Sequence, residues 1–220
     1  MKKLLILLAL LLGVFISFGQ QLDNQFYFRF GYSLPTWSQF GMTKNQWDDE
    51  GLNHRTGASF ELGNIFMVNS ILKADNMAFG INVDYLYVNY NNFSTGNSNY
   101  NYNLAHVRVG SKVGPSFTYS PIDKLEFDIY AKADFAWAAG AVMYEDEIGD
   151  ADDYYTGYTS VGFSTGLNVR YGVLILGFEF DTVSPKLESD DYPGEYLGNA
   201  DNDGDKSPLP CLNFTIGLSF

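Results

Sequence analysis

The sequence is poor in cysteine, histidine and positive charge. Among 220 residues there is one cysteine and there are two histidines. A single cysteine cannot form a disulfide within the chain, so an exported form of the protein must gain its stability elsewhere. Lys and Arg number 13 against 26 Asp and Glu, which gives a formal net charge of -13. Because nucleic-acid affinity depends on cationic side chains that neutralise phosphates, this balance argues against a nucleic-acid partner.

Long apolar runs are also absent, except at the start of the chain. Two lysines precede an almost wholly apolar stretch, residues 4–18, and Gly19 supplies a small residue for cleavage. This pattern predicts a secretory signal peptide over residues 1–19 and a single domain over residues 20–220. The stretch is too short to span a bilayer comfortably, which makes an uncleaved signal anchor the weaker alternative.

The rest of the chain, after the predicted signal peptide, shows two-residue periodicity. In residues 210–220, apolar side chains such as Phe214 and Ile216 alternate with polar or small ones such as Asn213 and Gly217. Such alternation predicts a β-strand with one apolar face. The same period predicts seven earlier strands, over residues 24–34, from near 54, over 77–90, 104–119, 124–144 and 157–171, and from 174.

Two details of this pattern bear on which side chains face outward. The alternation of the second strand breaks near Asn64, which predicts a bulge there. In the third strand, uninterrupted alternation places Tyr87 on the apolar face and Leu86 on the polar face.

The predicted connections alternate between long and short. Long polar loops are expected at residues 35–53, 91–103, 145–155 and 184–207, and tight turns at residues 73–76, 120–123 and 171–172. Aromatic residues make up 17% of the chain and there are 22 glycines. Short turns at one end, longer loops at the other, interfacial aromatics and about eight strands are typical of outer-membrane barrels. A secreted soluble β-fold is the alternative, since each strand alone would suit it equally well.

With Phe220 ending the last strand on an aromatic side chain, the chain resembles the small outer-membrane β-barrel family, which includes the OmpA-type transmembrane domain and related barrels of Bacteroidetes. The resemblance implies an all-β, closed, antiparallel, up-and-down transmembrane barrel in the cell outer membrane, surrounded by lipid. It also implies that the barrel-assembly machinery reads Phe220 as an assembly signal. The expected role is structural or interactive, through acidic, aromatic-rich extracellular loops that meet an unidentified protein or surface ligand. An accessory role in a secretion or gliding apparatus, and lipid A modification, are the alternatives.

The charged residues of the strands are predicted to share the face opposite the apolar series. An eight-stranded barrel has an interior that side chains just fill, so opposite charges there are expected to pair and plug the lumen. A proton or ion path is the competing interpretation. We call these residues the lumen charge network: Arg29, Glu61, Asp84, Arg108, Lys112, Glu126, Asp128, Lys132, Asp134, Arg170, Glu179 and Asp181.

The sequence offers little for catalysis. A serine hydrolase needs a nucleophile, a histidine base and an acid in mutual reach. His54 lies at a strand–loop boundary, His106 is expected inside the barrel near Arg108, and no H-x-S or G-x-S-x-G arrangement occurs. Cys211 is expected to be a small packing residue. We therefore predict that the protein is not an enzyme.

One loop has the start of a calcium-binding pattern. Asn199, Asp201 and Asp203 are followed by Gly204, as in the first half of an EF-hand loop, and Asp205 or Glu195 could complete the set. The twelfth position, which requires a bidentate glutamate, is a proline. The alternatives are a weak Ca²⁺ site and a solvated acidic loop, and no other cofactor is expected.

Overall fold

Eight long strands form nearly all of the chain that the structure describes. The structure is a computed structural model, and it describes residues 24–36, 38–39, 42–43, 52–68, 76–95, 101–145, 151–183 and 209–220. The predicted signal peptide lies outside these residues. No helix within the described ranges is long and apolar enough to cross a membrane. The strands are β1 (Gln25–Pro35), β2 (Leu52–Met67), β3 (Met77–Thr95), β4 (Asn101–Ile122), β5 (Leu125–Glu145), β6 (Ala151–Tyr171), β7 (Leu174–Val183) and β8 (Leu209–Ser219).

The strands pair with their sequence neighbours and close on themselves. Each strand is antiparallel to the next, and β1 pairs with both β2 and β8. Two backbone hydrogen bonds between Phe26 and Phe220, of 2.8 and 2.9 Å, complete the seam between β1 and β8. A separate two-residue hairpin, Ser38–Gln39 with Met42–Thr43, follows β1. The predicted fold, an all-β closed up-and-down barrel of eight strands, is thus confirmed.

Polarity in this barrel is inverted relative to a water-soluble protein. On β1, Phe30 is 56% exposed on the outer surface, whereas the adjacent Arg29 is 0% exposed inside. The same alternation recurs on β5, where Ile129 points outward and Asp128 inward. A soluble barrel buries its apolar face, so the outer surface here is built for an apolar surrounding.

The strands extend further than the sequence patterns predicted. β3 continues to Thr95 and β4 begins at Asn101, so the loop expected over residues 91–103 is wrong in its bounds. Likewise β5 runs to Glu145 and β6 starts at Ala151, within the loop predicted over 145–155. Polar composition suggested loops, but the backbone hydrogen bonds that form a strand do not depend on apolar side chains. The polar side chains of these extensions can also find partners inside the barrel. Asn91, for example, is buried and donates a 2.7 Å hydrogen bond to Asn89 Oδ1.

The tight turn between β4 and β5 lies later in the chain than the sequence predicted. The turn there consists of Asp123 and Lys124, not residues 120–123. Lys124 has a φ of 67°, and Gly172 in the turn between β6 and β7 has a φ of 59°. Positive φ costs glycine nothing, so Gly172 suits its turn, whereas Lys124 adopts a conformation that is unfavourable for a side chain with a Cβ.

A bulge interrupts the pairing of β3. Leu62 on β2 lies opposite Leu86, but the next residue, Gly63, lies opposite Asp84, so Tyr85 has no counterpart. The predicted bulge near Asn64 is therefore wrong in its strand, because the extra residue is across the ladder on β3. On β2 itself, alternation continues past Asn64 to the exposed Phe66.

The bulge exchanges the faces of the residues that follow it. Tyr85 and Leu86 both point outward, and Leu86 is 37% exposed. Tyr87 points into the lumen and is 1% exposed. The sequence prediction of Tyr87 outside and Leu86 inside is thus wrong, because one extra residue reverses the parity of a two-residue repeat.

Candidate functional site in the barrel lumen

All twelve members of the lumen charge network are buried on the inward faces of the strands. The alternation that turns apolar side chains outward places these charged side chains inside. Isolated ions in such surroundings are costly, so the arrangement of partners decides whether the barrel is stable.

Glu179 on β7 is the centre of the network. Its two carboxylate oxygens lie 2.5 Å from Lys112 Nζ and 2.8 Å from Lys132 Nζ. The guanidinium of Arg29 is 3.7 Å away. One carboxylate on β7 therefore contacts side chains from β1, β4 and β5. None of these strands pairs with β7, so the contacts cross the lumen.

Two further carboxylates extend this centre toward β2 and β3. Glu61 pairs with Arg29, which lies directly opposite it in the β1–β2 register. Asp84 lies 2.5 Å from Lys132 Nζ and also accepts a hydrogen bond from the Tyr27 hydroxyl. These contacts link β1 with β2 and with β3, and β3 with β5, inside the lumen.

Asp181 organises the part of the lumen nearer the long connections. It lies 2.6 Å from the Arg108 guanidinium and 3.3 Å from Lys112 Nζ. The Asn213 amide donates a 2.7 Å hydrogen bond to its second oxygen. Asn213 also accepts a 2.9 Å bond from Asn89, whose amide donates to Ser33 as well.

A separate cluster, which we call the turn-end cluster, occupies the end with the two-residue turns. The Arg170 guanidinium binds Asp128 through two hydrogen bonds of 2.7 Å each. It also lies 2.5 Å from Glu126 and donates to Gln25. Thr118 donates a 2.6 Å hydrogen bond to Asp128. This bidentate geometry is the strongest form of an arginine–carboxylate pair.

Aromatic rings and glycines complete the packing of the lumen. Lys112 Nζ lies 4.2 Å from the centre of the Tyr87 ring, and Lys132 Nζ lies 4.3 Å from that of Tyr130. Both distances suit cation–π attraction. Gly177 leaves the room that Arg29 needs, since a Cβ there would come within 2.5 Å of a guanidinium nitrogen. The lumen is filled by its own side chains.

One group of carboxylates has the spacing of a metal site. Oxygens of Glu61, Asp84 and Glu179 all lie within 4.8 Å of one another. Arg29, Lys112 and Lys132 contact these same carboxylates, so three cations balance three anions. The charges of the protein satisfy this group, and it carries no argument for a metal ion.

Sequence reasoning did not identify Tyr87 or the buried amides as members of this site. Tyr87 was missed because the bulge reverses its face. Asn89 and Asn91 were missed because they lie in a stretch of polar composition typical of a strand end and loop. A run of asparagines at alternate positions, continuing the inward parity of β3 beyond the bulge, is the signal that could have found them.

The remaining candidate residues lie in separate places. The His54 ring lies at the end of the barrel with the long connections, 3.4 Å from the Tyr32 hydroxyl and 3.3 Å from Asn91 Oδ1. His106 is buried inside the lumen. Cys211 is buried, with its Sγ 3.7 Å from the Asn91 amide nitrogen. The absence of catalysis stays a prediction.

The calcium hypothesis falls outside the described part of the chain. Its four residues, Asn199, Asp201, Asp203 and Asp205, belong to the segment between Val183 and Leu209 that the structure does not describe. The weak Ca²⁺ site therefore also stays a prediction.

No protein-family model and no curated protein matches the chain. Two solved structures of Ail, the attachment invasion locus protein of Yersinia pestis, are similar to it. The structure in complex with the heparin analogue sucrose octasulfate is 10% identical, with a TM-score of 0.49, over 90% of this chain and 100% of that chain. The other structure of Ail is 7% identical over the same shares of both chains, with a TM-score of 0.41. Both TM-scores lie below 0.5, so the similarity says nothing about what this chain binds.

Proposed function

We propose that this protein is an integral outer-membrane β-barrel with a closed lumen, and that it acts without catalysis, as a structural or interaction protein, through the long connections at one end. The ion pairs of the lumen charge network join strands across the interior and stabilise the closed barrel. The long connections then provide the surface through which the protein meets other molecules.

The inverted polarity of the closed barrel is the observation that carries this proposal. Every strand is paired on both sides, so the barrel has no open edge and its backbone polar groups are satisfied internally. That is the condition for a β-structure to exist in hydrocarbon. Apolar side chains cover the outside while twelve charges are buried inside. In water this outer surface would be one large apolar patch, far beyond what soluble monomers expose.

The outer aromatic residues suggest how the barrel sits in the membrane. Tyr119 and Tyr171 are exposed near the end with the two-residue turns, and Trp137 is exposed higher on β5. Tyr and Trp concentrate at the two membrane–water interfaces, so these positions mark the borders of the apolar belt. Barrels of this type turn their short connections to the periplasm and their longer ones to the outside.

The longest connection has a charge that limits its partners. Residues 184–208 contain seven acidic residues against two lysines, a net charge of 2 − 7 = −5. Electrostatic complementarity favours partners with a cationic surface, because opposite charge accelerates encounter and like charge opposes it. We propose that this connection is the main interaction surface.

An epitope tag tests the proposed location and orientation. One tag is inserted within residues 201–205 of the full chain, and a matched control tag is placed between Asp123 and Lys124 in the short turn. The antibody should label intact cells that carry the first tag, and should reach the second only after the outer membrane is permeabilised. Both proteins should fractionate with outer membranes and resist carbonate extraction. Recovery in the soluble fraction, or labelling of the turn tag on intact cells, would contradict the proposal.

A further inference from the structure

Four strands of the barrel are about twice as long as a membrane crossing requires. A strand that spans a bilayer needs about 9–11 residues, and β1, β7 and β8 contain 11, 10 and 11 residues. In contrast, β3, β4, β5 and β6 contain 19, 22, 21 and 21 residues. The pair Tyr171–Leu174 adjoins a two-residue turn, so β6 and β7 start level at that end and differ at the other. In the orientation proposed above, the additional length therefore extends outside the membrane.

One side of β6 lacks a pairing strand along this extension. The pairing of β6 with β7 ends at Gly162 and Val183, whereas its pairing with β5 continues to Ala151 and Glu145. Within the described chain, residues 151–161 therefore pair on one side only, and we call them the open edge. At about 3.4 Å per residue, the open edge is about 35 Å long, and alternate backbone N–H and C=O groups along it point away from β5.

The open edge lacks the features that usually keep an edge strand from pairing. Natural edges are commonly protected by lysine, proline or a bulge. Such protection is present on the opposite side of the extension, where β2 continues beyond its last pair with β1 at Ser59. There the exposed Arg55 is an extra residue that interrupts the register with β3. Residues 151–161 contain no lysine and no proline, and their register with β5 is continuous. This edge is therefore suited to the addition of a strand.

Charge determines which strand the open edge favours. It contains Asp152 and Asp153 and no lysine or arginine. A second copy of the chain would bring two acidic edges together. Residues 184–208 follow Val183 beside the edge, but they carry a net charge of 2 − 7 = −5. Like charge opposes both of these pairings, whereas it attracts a cationic segment.

We propose that the open edge binds an extended segment, rich in lysine or arginine, of a partner protein by strand addition. Backbone hydrogen bonds to β6 provide affinity, and the positive charge of the segment complements Asp152 and Asp153. This inference rests on the proposed function, because the membrane orientation places residues 151–161 outside the cell.

The test measures strand addition to the full chain folded in phosphatidylcholine nanodiscs. The probe is a fluorescent peptide in which lysine alternates with valine. Its binding is followed by fluorescence anisotropy, and backbone pairing by amide hydrogen exchange of residues 151–161. Without peptide, alternate amides of the open edge should exchange rapidly. At a peptide concentration about ten times the dissociation constant, their exchange should slow about tenfold.

Two control peptides separate strand addition from attraction between charges. The same peptide with two prolines inserted at its centre keeps the positive charge but cannot form a continuous ladder. A peptide in which glutamate replaces lysine keeps the ability to pair but reverses the charge. Neither control should slow the exchange of the open edge. Equal protection by the proline-containing peptide would overturn strand addition.

Two variants locate the binding surface. Asp152→Lys/Asp153→Lys should weaken binding of the lysine peptide about tenfold, because each change removes an attraction and adds a repulsion. Asp123→Lys, a charge reversal in the exposed turn at the other end of the barrel, should leave binding unchanged. Equal affinities of these two variants would overturn the proposal.

The exchange of the protein without peptide tests the other occupants of the edge. Protection of all amides of residues 151–161 would mean that the edge is already paired. Protection that is independent of protein concentration would indicate residues 184–208, and protection that increases with concentration would indicate a second copy. Either result would overturn the proposal. A barrel that is integrated in the membrane but shows no saturable peptide binding would overturn this inference alone, whereas recovery of the protein in the soluble fraction would overturn the proposed function as well.

Discussion

Lys132 shows why a charged side chain can be buried in this lumen. Its ammonium group contacts Asp84 at 2.5 Å and Glu179 at 2.8 Å, and it lies over the Tyr130 ring. Two carboxylates and an aromatic face replace the water that the ammonium loses. The contribution of Lys132 to stability therefore depends on these partners. Removing Lys132 would leave the buried carboxylates of Asp84 and Glu179 with less compensating charge.

Lys132→Ala should lower the free energy of unfolding by about 3–5 kcal/mol, the usual cost of breaking a buried ion pair from one side. Urea unfolding of the protein folded in vesicles measures this difference. The double variant Lys132→Met/Asp84→Asn should lose less unfolding free energy than the sum of the losses in Lys132→Met and Asp84→Asn measured separately. The reason is that the double variant removes the charge from both partners of the pair. A loss below about 0.5 kcal/mol in Lys132→Ala, as is usual for a surface substitution, would contradict a buried pair.

The sequence alone was sufficient to place the twelve side chains of the lumen charge network on the inward face. Alternate residues of a strand face opposite sides, so the face of each residue follows from its position in the strand. Which charges pair was not predictable. Glu179 meets Arg29 and Lys132 across the lumen from strands that are far apart in the chain. That pairing depends on the stagger between strands, which single-strand periodicity does not contain.

The third strand illustrates how one extra residue alters a face. Before the bulge at Tyr85, inward parity includes Asp84, and after it, Tyr87 and Asn89. Without the bulge, Leu86 would enter a charged lumen and Tyr87 would leave Lys112. The strand pairing is regular before and after the extra residue, and the residues around it, Tyr85, Leu86 and Tyr87, are all apolar or aromatic. The alternating pattern of the sequence therefore does not reveal the bulge.

Single cysteines at these two positions test the bulge. In a Cys211→Ser background, Leu86→Cys should react with a membrane-soluble maleimide, because position 86 faces outward. Tyr87→Cys should be protected in the folded protein and react only after unfolding. Phe79→Cys, an outward position before the bulge, serves as the matched positive control. Reaction at position 87 with protection at position 86 would mean that alternation continues without a bulge.

The existence and order of all eight strands were predictable from their apolar series, although the alternation of the second strand is interrupted near Asn64. Their ends were not. Residues 91–95 and 151–156 are rich in polar side chains, which suggested loops, yet they continue the barrel walls. Beyond the apolar belt, a strand needs no apolar face, so the composition of a strand and of a loop becomes the same there.

For the molecule as a whole, a lumen filled by side chains predicts a barrel that does not conduct. Ion pairs join β1, β4, β5 and β7 across the interior, and an eight-stranded barrel leaves no further width. In planar bilayers the unmodified protein should show no steady channel under conditions in which a 16-stranded porin conducts. A large, stable open state would show instead that the network lines an ion path.

The central claim is that the apolar outer belt faces lipid, and one pair of substitutions tests it most directly. Ile129 and Ile122 are both exposed outward, 55% and 62% respectively, but Ile122 adjoins the short turn whereas Ile129 lies further within the belt. In vesicles, Ile129→Arg should cost about 2–4 kcal/mol of unfolding free energy and Ile122→Arg about 0–1 kcal/mol, since the penalty for arginine on the lipid face falls with distance from the bilayer centre. If the outer surface met water, both arginines would be tolerated equally, within about 0.5 kcal/mol, and that result would contradict a membrane barrel.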